Sequence, residues 1–315
     1  MTPQNFSNTL LGSIDKKAAS QAIPNLIAVS KNDPDAEVRV CAVSALISIA
    51  GNDLNKSTEE VKAVIPVVIA ALKDSDTEVR LAATIAFQSM SFTSYSNDSK
   101  FKVKLIPELK AAIPVLIETL RYEDEQVRSN ATSALGNMGQ DAASLVPVII
   151  KALNDKDEKV RSSAAQILGR IDVWGRNAEE VASAVPALIE ALKQDKDVQV
   201  RSNAANALGW MGEKAASAVP ALIEALKDQR VSYNAKEALG RIAESWQDNA
   251  SKLSNQDLDK AISYLETALK IADDPKAGVA YPPGFPDEGK KRLRRSLNFL
   301  KKEKDSRLFS TTRPM

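Results

Sequence analysis

The sequence predicts an all-α fold, a solenoid of about six helical hairpins closed by a helical cap at each end. Three observations predict it. The frame Asp-x-x-Val-Arg occurs five times, at Asp35–Arg39, Asp76–Arg80, Asp124–Arg128, Asp157–Arg161 and Asp197–Arg201. A proline stands 14 or 15 residues before each Arg, at Pro24, Pro66, Pro114, Pro147 and Pro186. Between proline and Arg, apolar residues recur at helical spacing, and a unit this short cannot bury its apolar face alone, so successive units must stack.

Taken in order, residues 1–21 are expected to cap the N-terminal end. Repeats follow near 22–51, 63–90, 111–139, 143–171, 184–212 and 218–243, an array from 22 to 243. The clearest unit is Ala184–Gly212. Val185, Leu188, Ile189 and Leu192 form one stripe of a short helix A. Asp197 suits the N-cap of helix B, which would bury Val200, Ala204, Ala207, Leu208 and Met211. Gly212 can end that helix in a left-handed conformation. Two units carry a longer helix A, opened by Ser57-Thr-Glu-Glu60 and Asn177-Ala-Glu-Glu180, so Pro66 and Pro186 would fall inside helices and kink them. A Ser/Thr-rich loop is expected near 89–100. The sixth unit is degenerate: its turn is shorter and Ser232 replaces the Arg. Residues 254–315 read as a C-terminal helical cap, with one helix from Ser254 to about Ala272, a Tyr281-Pro-Pro-Gly-Phe-Pro linker, a basic helix from Gly289 to about Lys304, and a frayed tail.

The proline of helix A, the Asp before helix B and the Val-Arg at its start resemble the HEAT repeat family. The likeness is greatest to the short bacterial repeats of phycobilisome lyases. It implies a right-handed αα superhelix in which the motif's Asp and Arg residues bond between turns of adjacent repeats, forming a ladder of Asp35, Arg39, Asp76, Arg80, Asp124, Arg128, Asp157, Arg161, Asp197 and Arg201. It also implies that the B helices line a concave groove, and that phycobiliprotein clients and their bilin are partners to consider.

Composition bounds the chemistry. There is no histidine, which removes Ser-His-Asp and Cys-His nucleophile activation and every imidazole metal site. The single cysteine, Cys41, excludes an internal disulfide. With 42 Lys+Arg against 41 Asp+Glu, the net charge of +1 gives no global pull toward nucleic acid. The N-terminal residues lack a secretory pattern and no apolar run is long enough to span a bilayer, so a cytoplasmic protein without cofactor or metal is expected.

Four features could carry function. Counted from each Arg, positions +2, +5 and +9 of helix B share a face. In the third to sixth repeats this stripe reads Asn130, Ser133, Asn137; Ser163, Gln166, Arg170; Asn203, Asn206, Trp210; and Asn234, Glu237, Arg241. It is either a partner-binding face or an ordinary solvated one. Gly136, Gly169, Gly209 and Gly240 at +8 either open the backbone to close approach or end the helix. In the first two repeats the same stripe (Cys41, Ser44, Ser48; Ala82, Ile85, Ser89) is flanked by Val40, Ile47 and Leu81, which either make a contact or are covered by Phe6, Leu10 and Leu11. Trp174, Trp210 and Trp246 could bind or staple repeats. Residues 288–307 hold nine Lys/Arg and three acids, with Leu293, Leu297 and Leu300 in line. That helix either caps the array or meets an acidic partner or nucleic acid. The leading expectation is a non-enzymatic scaffold that binds another protein through the B-helix face; a bilin-lyase-like role and nucleic-acid binding are the alternatives.

Overall fold

The computed structural model describes residues 16–51, 59–92, 107–138, 142–171, 178–274 and 287–311. Among these residues the secondary structure is helical, without strands. The chain divides into two compact units, Met1–Asp141 and Ala142–Met315.

The first unit holds α1 (Lys16–Asn32), α2 (Ala36–Gly51), α3 (Glu59–Ala71), α4 (Thr77–Phe92), α5 (Pro107–Lys110), α6 (Ile113–Thr119) and α7 (Glu125–Asn137). Helix A of each repeat lies against the next helix A, α1 on α3 and α3 on α5, while the B helices stack as α2, α4, α7. The core between them is aliphatic: Val43, Leu46, Val64, Val68, Leu72, Val79, Leu116, Leu135 and the ring of Phe87 are buried. Full burial of each such side chain is worth about 1.5–3 kcal/mol.

The second unit holds α8 (Ala142–Ala152), α9 (Glu158–Ile171), α10 (Ala178–Ala182), α11 (Val185–Gln194), α12 (Val198–Trp210), α13 (Val219–Ala225), α14 (Ser232–Asp248), α15 (Asn255–Ala272) and α16 (Glu288–Thr311). Short 3₁₀ turns cover Gly212–Ala218 and Ala250–Lys252. Here the B helices stack as α9, α12, α14. The residues expected in the core of the clearest repeat, Val185, Leu188, Leu192, Val200, Ala204, Ala207, Leu208 and Met211, are buried, whereas Ile189 is half-buried. Gly212 has φ +57°, ending that repeat's helix B in the left-handed region.

Several boundaries differ from expectation, for local reasons. Residues 16–21 belong to α1, because Lys, Ala and Gln are good helix formers and continue the helix ahead of Pro24. Pro66 does lie inside a continuous α3, but Pro186 sits in the first turn of α11, separated from α10 by Ser183 and Ala184, where a proline is tolerated because its missing N–H has no intrahelical partner to lose. α4 runs through Ser89 to Phe92; the remainder of the expected loop lies outside the described residues, as do Phe6, Leu10, Leu11, Trp174 and the 281–286 linker.

The C-terminal segment is a further hairpin. α15 lies against α13, the preceding helix A, and α16 lies against α14, the preceding helix B, while α15 and α16 pack on each other. Ser254 caps α15 by accepting from the Asp257 N–H at 3.1 Å. Leu293, Leu297 and Leu300 of α16 are buried, as the leucine line suggested for a cap. α16 extends past Lys304 to Thr311, held by Arg307, which donates to the carbonyls of Leu253 and Ala250 at 2.7 and 2.6 Å. No described helix is long and apolar enough to cross a membrane.

Candidate functional site

Three arginines of the recurring frame, Arg39, Arg161 and Arg201, bond to the next repeat, but not to the motif's aspartates. Each of the five donates from Nη1 to two carbonyls of its own turn. Arg161 reaches Asp155 O at 2.8 Å and Lys156 O at 3.2 Å, and Arg39, Arg80, Arg128 and Arg201 make the equivalent pair. In three of them the rest of the guanidinium reaches an acid of the next turn. Arg39 donates to Asp74 (Nε 2.9 Å, Nη2 2.7 Å), Arg161 to Asp195 (2.6 and 3.0 Å) and Arg201 to Asp228 (Nη2, 2.8 Å). Asp35, Asp76, Asp124, Asp157 and Asp197 instead accept backbone N–H groups at the start of their own helices. This corrects the ladder: the rung's acid lies two residues before the capping Asp, where a carboxylate can also accept the cap residue's N–H, as Asp195 does from Asp197 at 2.9 Å.

These rungs are electrostatically coherent. The hydrogen bond from Arg39 holds the Asp74 carboxyl below the ordinary carboxylate range, against the opposing effect of burial. Burial pushes Asp195 up, but Arg161 and the Asp197 N–H outweigh it and the result lies below the usual value. Asp228 follows the same balance with Arg201. In the third repeat the acid's place is taken by Tyr122. Arg80 lies over its ring, 4.4 Å from the centroid, and the buried Arg80 Nε has no hydrogen-bond partner.

The stripe divides into internal and surface positions. Of its +2 members Asn130, Ser163 and Asn203 are buried and Asn234 is half-buried. Asn130 accepts from Gln126 Nε2 at 3.0 Å. Asn203 accepts from Gln199 and donates to Ser162 O and Oγ at 3.2 and 2.9 Å, tying α12 to α9. Ser133 is buried too, and Asn137 is half-buried. Asn234 donates to Asn206 at 3.2 Å, a bond between consecutive B helices. Asn130, Ser133, Ser163 and Asn203 are buried, so for these four the expectation of an exposed docking role is corrected; Asn203 instead bonds the neighbouring B helix.

Three of the +8 glycines, Gly169, Gly209 and Gly240, lie at seams between helices. A Cβ on Gly209 would stand 2.6 Å from Ala238 Cα, and one on Gly169 would stand 3.1 Å from Ala207 Cα. The close approach is by the next B helix, and the adjacent face is drawn tight by it.

At the sixth repeat the stripe is covered. Glu237, buried, accepts the Gly289 N–H at 2.6 Å, and Lys236, 1% exposed, bonds Asp287 at 2.8 Å. Both hold the first turn of α16 on α14. The basic side chains of α16 are engaged by acids of α14 and α15: Lys290 and Arg294 with Asp273, Arg295 with Glu244, Lys301 with Glu266, and Lys304 with Asp259.

What stays open is the middle of the second unit. Gln166 and Arg170 of α9 and Trp210 of α12 are exposed, and with Asn206 they line a cleft of about 160 Å³. Trp210 is 47% exposed, whereas Trp246 is buried. Arg241 of α14 stacks on the Trp210 ring, 3.8 Å from the centroid. Burial lowers the Arg241 pKa, with Glu237 opposing. The stacking contact, and the covering of Glu237, carry no periodic sign in the sequence. In the first unit, Val40, Ile47, Leu81 and Ile85 are half-buried and Cys41 is exposed.

A family profile described as HEAT repeats matches residues 113–184, 146–240 and 185–279, and a second, for the HEAT repeat, matches 64–94. No curated protein matches the chain by sequence. Among solved structures, Kap121p bound to RanGTP is 17% identical over 95% of this chain and 32% of its own, with a TM-score of 0.53. Kap121p bound to Ste12p is 15% identical over 92% of this chain and 33% of its own, with a TM-score of 0.51. A designed armadillo repeat protein is 21% identical over 75% of this chain and 99% of its own, with a TM-score of 0.46. This chain thus spans about a third of Kap121p, and at these identities the likeness is one of fold.

Proposed function

The chain belongs to the HEAT-repeat family, and we propose that it is a non-enzymatic interaction scaffold that holds another protein on the open B-helix face of residues 142–315. The observation that carries this reading is Trp210. A large aromatic side chain stands half out of a surface whose neighbours are otherwise drawn together helix against helix, and an arginine is already stacked on one side of it. Exposed Trp beside Arg is the composition of an interface anchor. Gln166 and Asn206 supply adaptable hydrogen-bonding groups next to it. The lack of histidine, together with a cleft lined by amides, alanines, one arginine and one tryptophan, favours binding over catalysis.

The test is the double variant Gln166→Ala/Trp210→Ala, whose side chains are exposed and whose loss leaves the core intact. The expected outcome is unchanged melting with partner recovery from a native extract reduced to background. Recovery equal to wild type removes this face as the docking site.

A further inference from the structure

The docking reading leaves the kind of bound segment open, and the polar groups around Trp210 narrow it. Among the described residues no carboxylate lines the cleft, and its one cation, Arg170, is already engaged within the fold. A charged side chain entering here would lose hydration with no opposite charge to meet. What the cleft offers is donors. Gln166 is exposed and bonds no described group. Asn206 accepts from Asn234 with its amide oxygen, and its own Nδ2 group donates to no described group. The Trp210 Nε1–H is likewise unbonded among the described residues. The oxygens of Asn203 and Asn206 are both taken, so among the lining side chains only the Gln166 oxygen is an unfilled acceptor. An ordinary peptide brings an N–H with every carbonyl and would find few acceptors here. Proline brings the carbonyl without the N–H. Its ring also suits an aromatic plane, and Trp210 is 47% exposed with Arg241 stacked on one side only. Spacing agrees. A polyproline II chain repeats every three residues, about 9 Å, and packed helices stand about 8–10 Å apart. Successive equivalent carbonyls can therefore meet Gln166 on α9 and Asn206 on α12. At about 160 Å³ the cleft lies below the roughly 300–1,000 Å³ of small-molecule sites and suits one side chain of a longer segment crossing it.

We propose that this cleft takes an uncharged, proline-containing segment in the polyproline II conformation: one proline ring laid on the exposed part of the Trp210 indole, and main-chain carbonyls beside it accepting from Gln166 and Asn206. The inference rests on the docking reading above and specifies its partner. Such a segment is stiff before it binds, so it loses little conformational freedom and a small contact can hold it. A nucleobase could stack on the same ring, but its flanking phosphates would find no unengaged cation in the lining, which separates this partner from nucleic acid.

The experiment selects short random peptides displayed on phage against the immobilised full chain, then measures the recovered peptides by fluorescence polarisation. Proline among uncharged residues is the expected enrichment, with binding indifferent to added salt. Affinity should fall about tenfold or more in Trp210→Ala, and about fivefold in Asn206→Asp, which keeps an oxygen for Asn234 and removes the donor. Gln166→Met, on an exposed side chain, supplies a second donor-free variant if Asn206→Asp loses its fold by melting. In the recovered peptide, alanine at the key proline should abolish binding, whereas N-methylalanine, which also lacks the N–H, should restore most of it. Arg294→Ala, on α16, should bind as wild type. Enrichment of charged or proline-free peptides that still depend on Trp210 overturns the polyproline assignment and leaves the docking reading in place. Peptides indifferent to Trp210, or no enrichment, overturn both. Displacement of bound peptide by single-stranded oligothymidylate, lost in Trp210→Ala, assigns the cleft to nucleic acid and overturns the proposal.

Discussion

Arg161 grips Asp195, 34 positions further along the chain, through two parallel hydrogen bonds, while its third nitrogen closes its own turn. One side chain therefore sets the shape of one turn and fixes the distance to the next. Asp195 is 8% exposed and Arg161 17%, so the pair is screened less than a surface ion pair.

Arg161→Ala is expected to lower stability by about 1–3 kcal/mol, since it strips buried acceptors of a charged donor. Asp195→Asn keeps an oxygen for the Asp197 N–H and removes only the charge. The two changes should be non-additive in a double-mutant cycle. Asp157→Ala, which removes an acceptor at the start of α9 but no rung, should cost about 1 kcal/mol. Urea denaturation checks all three.

The rungs also set a pH dependence. Asp74, Asp195 and Asp228 have native pKa values below their unfolded values. Between the two values the unfolded chain binds more protons, so stability rises with pH there. The contribution is fully present above the unfolded value of about 3.9 and is lost as pH falls through the lowered native values. Melting midpoints should drop on acidification below that point, and less steeply in Asp195→Asn.

Tyr122→Asp should complete the missing rung. It would give the buried Arg80 Nε an acceptor and the Asp124 N–H a carboxylate, in exchange for a ring contact. A gain of about 1 kcal/mol is expected, and it should vanish in an Arg80→Ala background. Thermal melting of the four proteins decides it.

Gly209→Ala should destabilise by about 1–3 kcal/mol, because its Cβ would stand 2.6 Å from the Ala238 backbone and α12 and α14 must part. Gly212→Ala should cost about 1 kcal/mol for a different reason, the φ of +57°. Only the first change should also shift Trp210 fluorescence, since it moves Arg241 off the indole.

The hairpins were legible because proline and Asp-x-x-Val-Arg mark each unit at nearly constant spacing. The hairpin of α15 and α16 was legible only as a cap: it lacks both markers, and only its packing on α13 and α14 reveals the correspondence. The rung acid was hidden by regularity elsewhere. The capping Asp is invariant among the five frames, whereas the position two residues earlier reads Asp33, Asp74, Tyr122, Asp155, Asp195 and passes for ordinary turn composition. Helical periodicity puts Asn203 and Trp210 on one face, but it carries no information on how closely the next helix approaches. Gly169 marks the close approach of α9 and α12, across which the buried Asn203 bonds Ser162, while Trp210 is left out.

The docking face is tested most directly by placing a photoreactive side chain at position 166 of the full chain, capturing the complex from its native extract and mapping the cross-links by mass spectrometry. A partner segment attached at position 166 and close to Asn206 and Trp210, lost when Trp210→Ala is added, is the expected result. Cross-links that survive Trp210→Ala unchanged, or that form only when the probe is moved to the A helices or to α16, would contradict it.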